Sequence, residues 1–116
     1  MKIEESTHEG VPLLRISGEV DHLTAPRFQA GIERSLGGET VALLVDLTQC
    51  PFMDSGGLNV LLRAVLRQQE SGAWLGVIGA NSSLMRIFEI VGLTTKQEFR
   101  LFTDLAEIKS SRRKRS

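Results

Sequence analysis

The sequence has few of the features that stabilise secreted proteins or place proteins in membranes. Its one cysteine, Cys50, cannot form a disulfide within the chain, which fits a reducing compartment. No apolar run approaches the roughly 20 residues needed to span a bilayer. No apolar signal-peptide segment follows Lys2. These absences predict a cytoplasmic protein, and the length of 116 residues predicts a single domain.

Motifs of common catalytic and cofactor sites are missing as well. No cysteines and histidines occur at metal-ligand spacing. Neither Gly-x-x-x-x-Gly-Lys nor Gly-x-Gly-x-x-Gly, the two phosphate-binding loops, is present. The Gly-x-Ser-x-Gly sequence of α/β-hydrolases is also absent. We therefore expect no metal and no other cofactor.

Opposite charges balance over the whole chain but not along it. The sequence has 14 basic and 14 acidic residues, and five of the basic ones lie within residues 109–116. The preceding part therefore carries nine basic residues against 14 acidic ones. We interpret residues 1–108 as the domain and residues 109–116 as a basic, disordered tail. No basic or aromatic stretch elsewhere supports nucleic-acid binding, so none is expected.

Short apolar runs alternate with segments of helical period along most of the chain. Phe28, Ile32 and Leu36 recur every four residues, and Leu58 to Leu66 carry leucines at steps of three and four. Residues 41–47 form a short apolar run, typical of a strand buried on both faces. Predicted strands lie at residues 2–8, 11–17, 41–47, 74–78 and 98–102, and predicted helices lie between 24 and 37, from 58 to 69, between 83 and 92, and from 104 to 109. This order predicts an α/β fold with a largely parallel sheet.

A polar segment, Phe52-Met53-Asp54-Ser55-Gly56-Gly57-Leu58-Asn59, connects the central predicted strand to the second predicted helix. Serine is favoured at a helix start because its oxygen accepts from the free N–H groups of the first turn. The same groups and the helix dipole favour an anion, so a phosphate on Ser55 would be tolerated. The spacing leaves both interpretations of Ser55 open, a helix cap and a phosphorylation site.

Two aspartates add a second pattern. Asp21 and Asp54 each follow a predicted strand and precede a predicted helix. If those strands are neighbours in the sheet, the two carboxylates flank the Ser55 hydroxyl. The alternative is that both carboxylates only cap turns, as aspartate commonly does.

The segment around Ser55 resembles the Asp-Ser-x-Gly-Leu phosphorylation loop of the STAS domain, the anti-sigma-factor antagonist fold. The upstream stretch Gly18-Glu19-Val20-Asp21-His22-Leu23-Thr24-Ala25 is similar to the Gly-Glu-Leu-Asp signature of the same family. The two stretches have the family's order and spacing, and the resemblance covers about residues 3–108. It implies a single STAS-like α/β domain, with a small mixed and mostly parallel sheet covered by about four helices.

The resemblance also implies a function, that of a binding module rather than an enzyme. In this family the unphosphorylated antagonist binds an anti-sigma factor that is a serine kinase, and so releases the sigma factor. The kinase phosphorylates the serine that follows the aspartate, which is Ser55 here, and a serine phosphatase resets the switch. The implied partner-binding residues are Asp21, His22, Asp54, Gly56, Gly57, Leu58 and Asn59. The family's small domains imply a monomer or weak dimer.

One departure and two alternatives accompany this interpretation. Many antagonists have a second Ser or Thr where this chain has Gly56, so only one hydroxyl is present at the loop. The fold could instead serve as an interaction subunit of a lipid-transport ATPase complex or of a stress-signalling assembly. A more remote alternative is a serine hydrolase that uses Ser55, with His8 or His22 as its base.

Overall fold

The computed structural model describes residues 1–38 and 41–108. The predicted basic tail, residues 109–116, lies outside this part. Five strands and three α-helices follow one another in the expected alternation. The strands are β1 (Lys2–His8), β2 (Val11–Ser17), β3 (Leu43–Gln49), β4 (Leu75–Ile78) and β5 (Phe99–Phe102). The helices are α1 (Ala25–Leu36), α2 (Ser55–Ser71) and α3 (Ser82–Ile90), with short 3₁₀ helices at Leu93–Thr95 and Leu105–Ile108.

The strands form one sheet in the order β1-β2-β3-β4-β5. Strands β1 and β2 form an antiparallel hairpin, whose two-residue turn is Glu9-Gly10. Both turn residues have positive φ, as a tight hairpin turn requires. The other neighbouring strands are parallel, so the prediction of a mixed and mostly parallel sheet is confirmed.

The three α-helices cover one face of this sheet. Alternate strand residues such as Leu14, Val45 and Val77 point into the same core as Phe28 of α1 and Phe88 of α3. A smaller cluster on the other face includes Leu13, Leu44 and Ile108. Pairing along both edges and burial of both faces explain why β3, the central strand, has an almost continuous apolar sequence.

Several predicted element bounds differ from the structure by one or two residues. Strand β3 runs over Leu43–Gln49 and so ends two residues after the predicted 41–47, because Gln49 still pairs with Ser17 of β2. Helix α2 begins at Ser55, the helix start that the sequence indicated, and its N-cap is Asp54. The predicted short last helix is present as a 3₁₀ helix over Leu105–Ile108, so the described residues form three α-helices where about four helices were expected. A single turn gains too few hydrogen bonds to offset the cost of nucleating an α-helix.

A buried charge interrupts the apolar sequence of β3. Asp46 is 4% exposed and accepts hydrogen bonds from Arg15 Nε at 3.1 Å and from the N–H of Thr48 at 2.9 Å. The Thr48 hydroxyl also donates to this carboxylate. Burial alone would raise the pKa of Asp46, but the hydrogen bonds from Thr48 and Arg15 outweigh it and lower this pKa below the usual value.

A buried amide fixes the C-terminal end of α2. Gln68 is 1% exposed, and its Nε2 donates to the carbonyl of Val41 at 2.7 Å and to that of Trp74 at 2.9 Å. These carbonyls lie just before β3 and β4, so one side chain joins the helix to two strand starts.

Among the described residues, no helix is both long and apolar enough to cross a membrane.

Candidate functional site

Two loops meet beyond the carboxyl ends of β2 and β3. The first loop runs from Gly18 to Thr24 and leads into α1, and the second runs from Cys50 to Asp54 and leads into α2. The loops run side by side because β2 and β3 are parallel neighbours. Two main-chain hydrogen bonds join them, Val20 N–H to Phe52 O (3.0 Å) and Asp54 N–H to Val20 O (3.0 Å), and a third joins Gly18 N–H to Gln49 O at the end of β3 (2.9 Å). The predicted juxtaposition of these segments is therefore present.

Asp54 is the N-cap of α2. Its Oδ1 accepts from the N–H of Gly56 at 2.8 Å and of Gly57 at 3.3 Å, which satisfies two free donors of the first turn. Its Oδ2 accepts from the main-chain N–H of His22 at 3.1 Å. One carboxylate thus starts the helix and also holds the first loop against it.

Ser55 is the first residue of α2, and the capping role that we considered for it belongs to Asp54. Its side chain is exposed. Within the part of the chain that the structure describes, the hydroxyl has no hydrogen-bond partner. A free, exposed hydroxyl at a helix N-terminus can receive a phosphoryl group, and the helix dipole favours the resulting negative charge.

The carboxylate of Asp21 makes its hydrogen bonds within the first loop. Its Oδ1 accepts from the N–H groups of Leu23 and Thr24, each at 3.0 Å, and from the Thr24 hydroxyl at 3.1 Å. The hydrogen bond from the Thr24 main chain is the largest influence on the pKa of Asp21, which is lowered. Thr24 takes the predicted N-cap position of α1, but its side chain makes no capping hydrogen bond. Both predicted carboxylates therefore accept hydrogen bonds from main-chain N–H groups.

The two glycines after Ser55 permit close packing. A Cβ on Gly56 would lie 2.9 Å from the Cα of His22, and one on Gly57 would lie 2.6 Å from the Cγ of Met53. Gly57 is buried, whereas Gly56 is half-buried. The absence of a second hydroxyl at position 56 thus has a steric reason, because the first loop occupies the space of a side chain.

The remaining predicted residues differ in exposure. Leu58 is half-buried and Asn59 is exposed on α2, while the side chain of His22 is 78% exposed. Two apolar residues that sequence reasoning missed also lie at this edge: Leu23, 76% exposed, and Phe52, 48% exposed. Their apolar side chains did not identify them as surface residues in the sequence, because an apolar residue in a loop can equally well be buried in the core.

A surface groove of about 320 Å³ lies between α1 and α2, beside the start of α2. Its polar lining consists of His22, Gln29, Asn59 and Arg63. None of the described side chains that line it carries a carboxylate. In the sequence, only the four-residue spacing of Asn59 and Arg63 on the exposed side of a helix indicated that these two side chains are neighbours.

The geometry of a hydrolase is not formed around Ser55. The Nδ1 of His22 lies 3.8 Å from the Asp54 carboxylate, and no hydrogen bond joins this imidazole to Ser55. The Nε2 of His8, the other histidine, donates to the carbonyl of Leu105 at 3.0 Å. A nucleophilic serine requires a base within hydrogen-bond reach, and neither histidine is placed as one.

Comparison with known proteins agrees with this description. The STAS domain model matches residues 2–108. The anti-sigma-B factor antagonist of Listeria monocytogenes is 37% identical over 97 residues, which cover 82% of this chain and 75% of that protein. A solved anti-sigma factor antagonist from Mycobacterium paratuberculosis is 26% identical, with a TM-score of 0.78 and coverage of 91% and 88%. Phosphorylated SpoIIAA from Bacillus is 21% identical, with a TM-score of 0.68 and coverage of 92% and 95%.

The fold and the paired loops define a small α/β module with a polar site at one sheet edge. The match over residues 2–108 identifies the kind of module: the chain belongs to the STAS domain family.

Proposed function

We propose that this protein is an anti-sigma-factor antagonist that is switched by phosphorylation of Ser55. The observation that carries the proposal is the exposed Ser55 hydroxyl, which starts α2 next to its Asp54 cap and has no hydrogen-bond partner among the described residues. The unphosphorylated form binds an anti-sigma factor that is a serine kinase, and the sigma factor is then released. The names of the Listeria and mycobacterial relatives support this role.

The charge of a phosphate explains how the switch turns binding off. Phosphoserine adds about −1.5 to −2 charges at neutral pH. The residue directly before Ser55, Asp54, is itself an acidic residue. When a partner covers this site, water no longer screens the two negative groups, and two unit charges about 4 Å apart then repel by roughly 4 kcal/mol at an effective dielectric constant of about 20. A penalty of this size in a covered interface lowers affinity by about three orders of magnitude, whereas a neutral hydroxyl costs little.

The proposed contact surface is the edge where the two loops and the start of α2 meet. It comprises Asp21, His22, Asp54, Gly56, Gly57, Leu58 and Asn59, with Leu23 and Phe52 as exposed apolar neighbours. The exposed members contact the partner directly. Gly57 contributes by packing, since its buried Cα lets the helix start lie against Val20 and Met53.

The proposal also includes a second partner, a serine phosphatase, and an oligomeric state. A serine phosphatase removes the phosphate from Ser55 and restores binding. The antagonist itself acts as a monomer or weak dimer in the cytoplasm, so one exposed surface meets the kinase and the phosphatase in turn.

The test is intact mass after incubation with ATP and each candidate anti-sigma kinase of the same organism. We expect one phosphate on the wild-type chain and none on Ser55→Ala. Ser82→Ala is a matched control, because Ser82 also follows a capping residue, Asn81, and is the exposed first residue of α3. The control should still be phosphorylated. Phosphate on Ser55→Ala, or none on the wild type with any kinase, would contradict the proposal.

A further inference from the structure

Each of the two loops carries one exposed apolar side chain. Leu23 in the first loop is 76% exposed, and Phe52 in the second loop is 48% exposed. Neither belongs to the two core clusters of the described residues or to the half-buried apolar residues packed against those clusters. We call these two residues the apolar pair. A single exposed apolar residue is ordinary on a protein surface, but two of them at one site form a candidate contact surface.

Both members of the apolar pair lie close to the start of α2. The Cα of His22 lies 2.9 Å from the position that a Cβ on Gly56 would take. Consecutive Cα atoms are about 3.8 Å apart, so the Cα of Leu23 is within about 7 Å of that position, beside the residue that follows Ser55. Phe52 precedes Ser55 by three residues, which limits the distance between their Cα atoms to about 11 Å. A partner that covers Ser55 therefore reaches the apolar pair as well.

Hydrogen bonds hold the main chain at both residues. The N–H of Leu23 donates to the Oδ1 of Asp21 at 3.0 Å. The carbonyl of Phe52 accepts from the N–H of Val20 at 3.0 Å and from the thiol of Cys50 at 3.4 Å. The two side chains are thus presented on a fixed backbone, and a partner does not have to order the loops when it binds.

We infer that the apolar pair supplies most of the affinity for the anti-sigma kinase, which covers the pair with an apolar surface of its own. The inference rests on the proposed function and adds the chemistry of the partner's surface at this site. Continuity with the proposed contact surface favours this occupant, because His22, directly before Leu23, donates its main-chain N–H to the Asp54 cap. Burial of apolar area is the main favourable contribution to most protein association, whereas charged groups chiefly provide discrimination.

An apolar cover also explains why a phosphate prevents binding. The apolar surface of the kinase excludes water from the edge where Ser55 lies. A neutral hydroxyl loses its water at a small cost compared with a phosphate, which is strongly destabilised when it is buried without a cation beside it. Affinity and switching thus belong to different side chains: the apolar pair provides the first, and Ser55 provides the second.

The test is the affinity of single variants for the kinase that the mass experiment identifies. Leu23→Ser and Phe52→Ser should each weaken binding of the unphosphorylated chain by about tenfold or more, because burial of one such side chain contributes enough free energy for a factor of this size. Ile90→Ser is the matched control, since Ile90 is 75% exposed and lies at the last residue of α3, outside both loops. This control should bind like the wild type.

Two further measurements distinguish an apolar contact from a disturbed loop. Burial of apolar surface makes the heat-capacity change of binding negative, so calorimetry at several temperatures should give a less negative value for Leu23→Ser than for the wild type. Leu23→Met keeps an apolar side chain of similar volume and should retain most of the affinity. Urea unfolding should give nearly equal stabilities for all these chains, because the substituted side chains are exposed.

Wild-type affinity in both Leu23→Ser and Phe52→Ser would overturn the inference. An equal loss of affinity in Ile90→Ser would also overturn it, because any exposed apolar residue would then have the same effect. Sedimentation velocity without the kinase tests another occupant: a wild-type dimer that Leu23→Ser dissociates would place a second copy on the apolar pair and overturn the inference. A wild-type chain that no kinase binds or phosphorylates is a different result, which contradicts the proposed function itself.

Discussion

The carboxylate of Asp54 and the main-chain N–H of His22 lie 3.1 Å apart, and the hydrogen bond between them joins the start of α2 to the loop before α1. The same carboxylate caps α2 through Gly56 and Gly57. A single side chain thus fixes both sides of the proposed recognition surface. Asp54 therefore has a structural role that must be separated from any contact with a partner.

Replacing Asp54 by alanine should destabilise the protein more than loss of an ordinary cap. Removing an N-cap costs about 1 kcal/mol, and loss of the hydrogen bond to His22 adds about 1 kcal/mol. Asp104→Ala is the reference, since the carboxylate of Asp104, just before the 3₁₀ helix Leu105–Ile108, accepts a single bond, from the N–H of Ala106. Urea unfolding should give a larger loss of free energy for Asp54→Ala. Equal losses would mean that the bond to His22 contributes nothing.

Adding a methyl group at Gly56 should also be destabilising. The new Cβ would lie 2.9 Å from His22 Cα, and relief of such overpacking costs about 1–3 kcal/mol. Gly31→Ala is the control, because Gly31 lies within α1 and its Cβ would meet only Leu14 and Ile3 side-chain atoms, at 3.4 Å or more. Alanine within a helix gains about 0.5–1 kcal/mol over glycine. Thermal unfolding should lower Tm for Gly56→Ala but not for Gly31→Ala. A Gly56→Ala protein as stable as the wild type would show that the first loop can move aside.

The buried Asp46 should make stability depend on pH. Because its pKa is lowered in the folded state, the charged carboxylate stabilises the fold above the unfolded pKa of about 3.9. This stabilisation is lost as the pH falls through the folded-state value. Asp46→Asn should cost about 2 kcal/mol near neutral pH, and its difference from the wild type should shrink at about pH 3. Urea unfolding at both pH values measures this. The exposed Asp104 provides the control variant, Asp104→Asn, and a gap for Asp46→Asn that did not shrink would contradict the prediction.

Substitutions at Ser55 should separate the two states of the proposed switch. Ser55→Ala retains a neutral surface and should bind the anti-sigma kinase continuously, while Ser55→Asp should bind it more weakly. Calorimetry with the kinase identified by the mass experiment would measure both affinities. Ser82→Asp, with the same charge at the start of α3, should bind like the wild type. Equal affinities for Ser55→Ala and Ser55→Asp would count against a charge-based switch.

Much of the fold follows from local patterns in the sequence. The apolar run in β3 predicted a central strand, and the four-residue spacing from Phe28 to Leu36 predicted α1. Adjacent Asp54 and Ser55 are both favoured caps, so local sequence could not decide where α2 begins. In the structure Asp54 is the cap, and its carboxylate also accepts a hydrogen bond from His22, 32 residues earlier in the chain.

Features that depend on packing between elements were not predictable in the same way. The pairing of Asp46 with Arg15 requires the register of β2 against β3, which places these two residues opposite each other. The groove depends on how α1 lies against α2, which no local pattern in the sequence specifies. The predicted functional residues lie in the two stretches that resemble the family, and so do Leu23 and Phe52, but the exposure of these two side chains could not be predicted from those stretches.

The buried amide of Gln68 has a consequence for how a kinase would recognise this protein. Gln68 fixes the last turns of α2 to the starts of β3 and β4, while Asp54 fixes the first turn. Ser55 is thus presented on a preorganised scaffold, so an enzyme that modifies it spends no binding energy on ordering a flexible segment. Such an enzyme would recognise a folded surface, and a free peptide with the sequence of residues 50–60 would be a poor substrate.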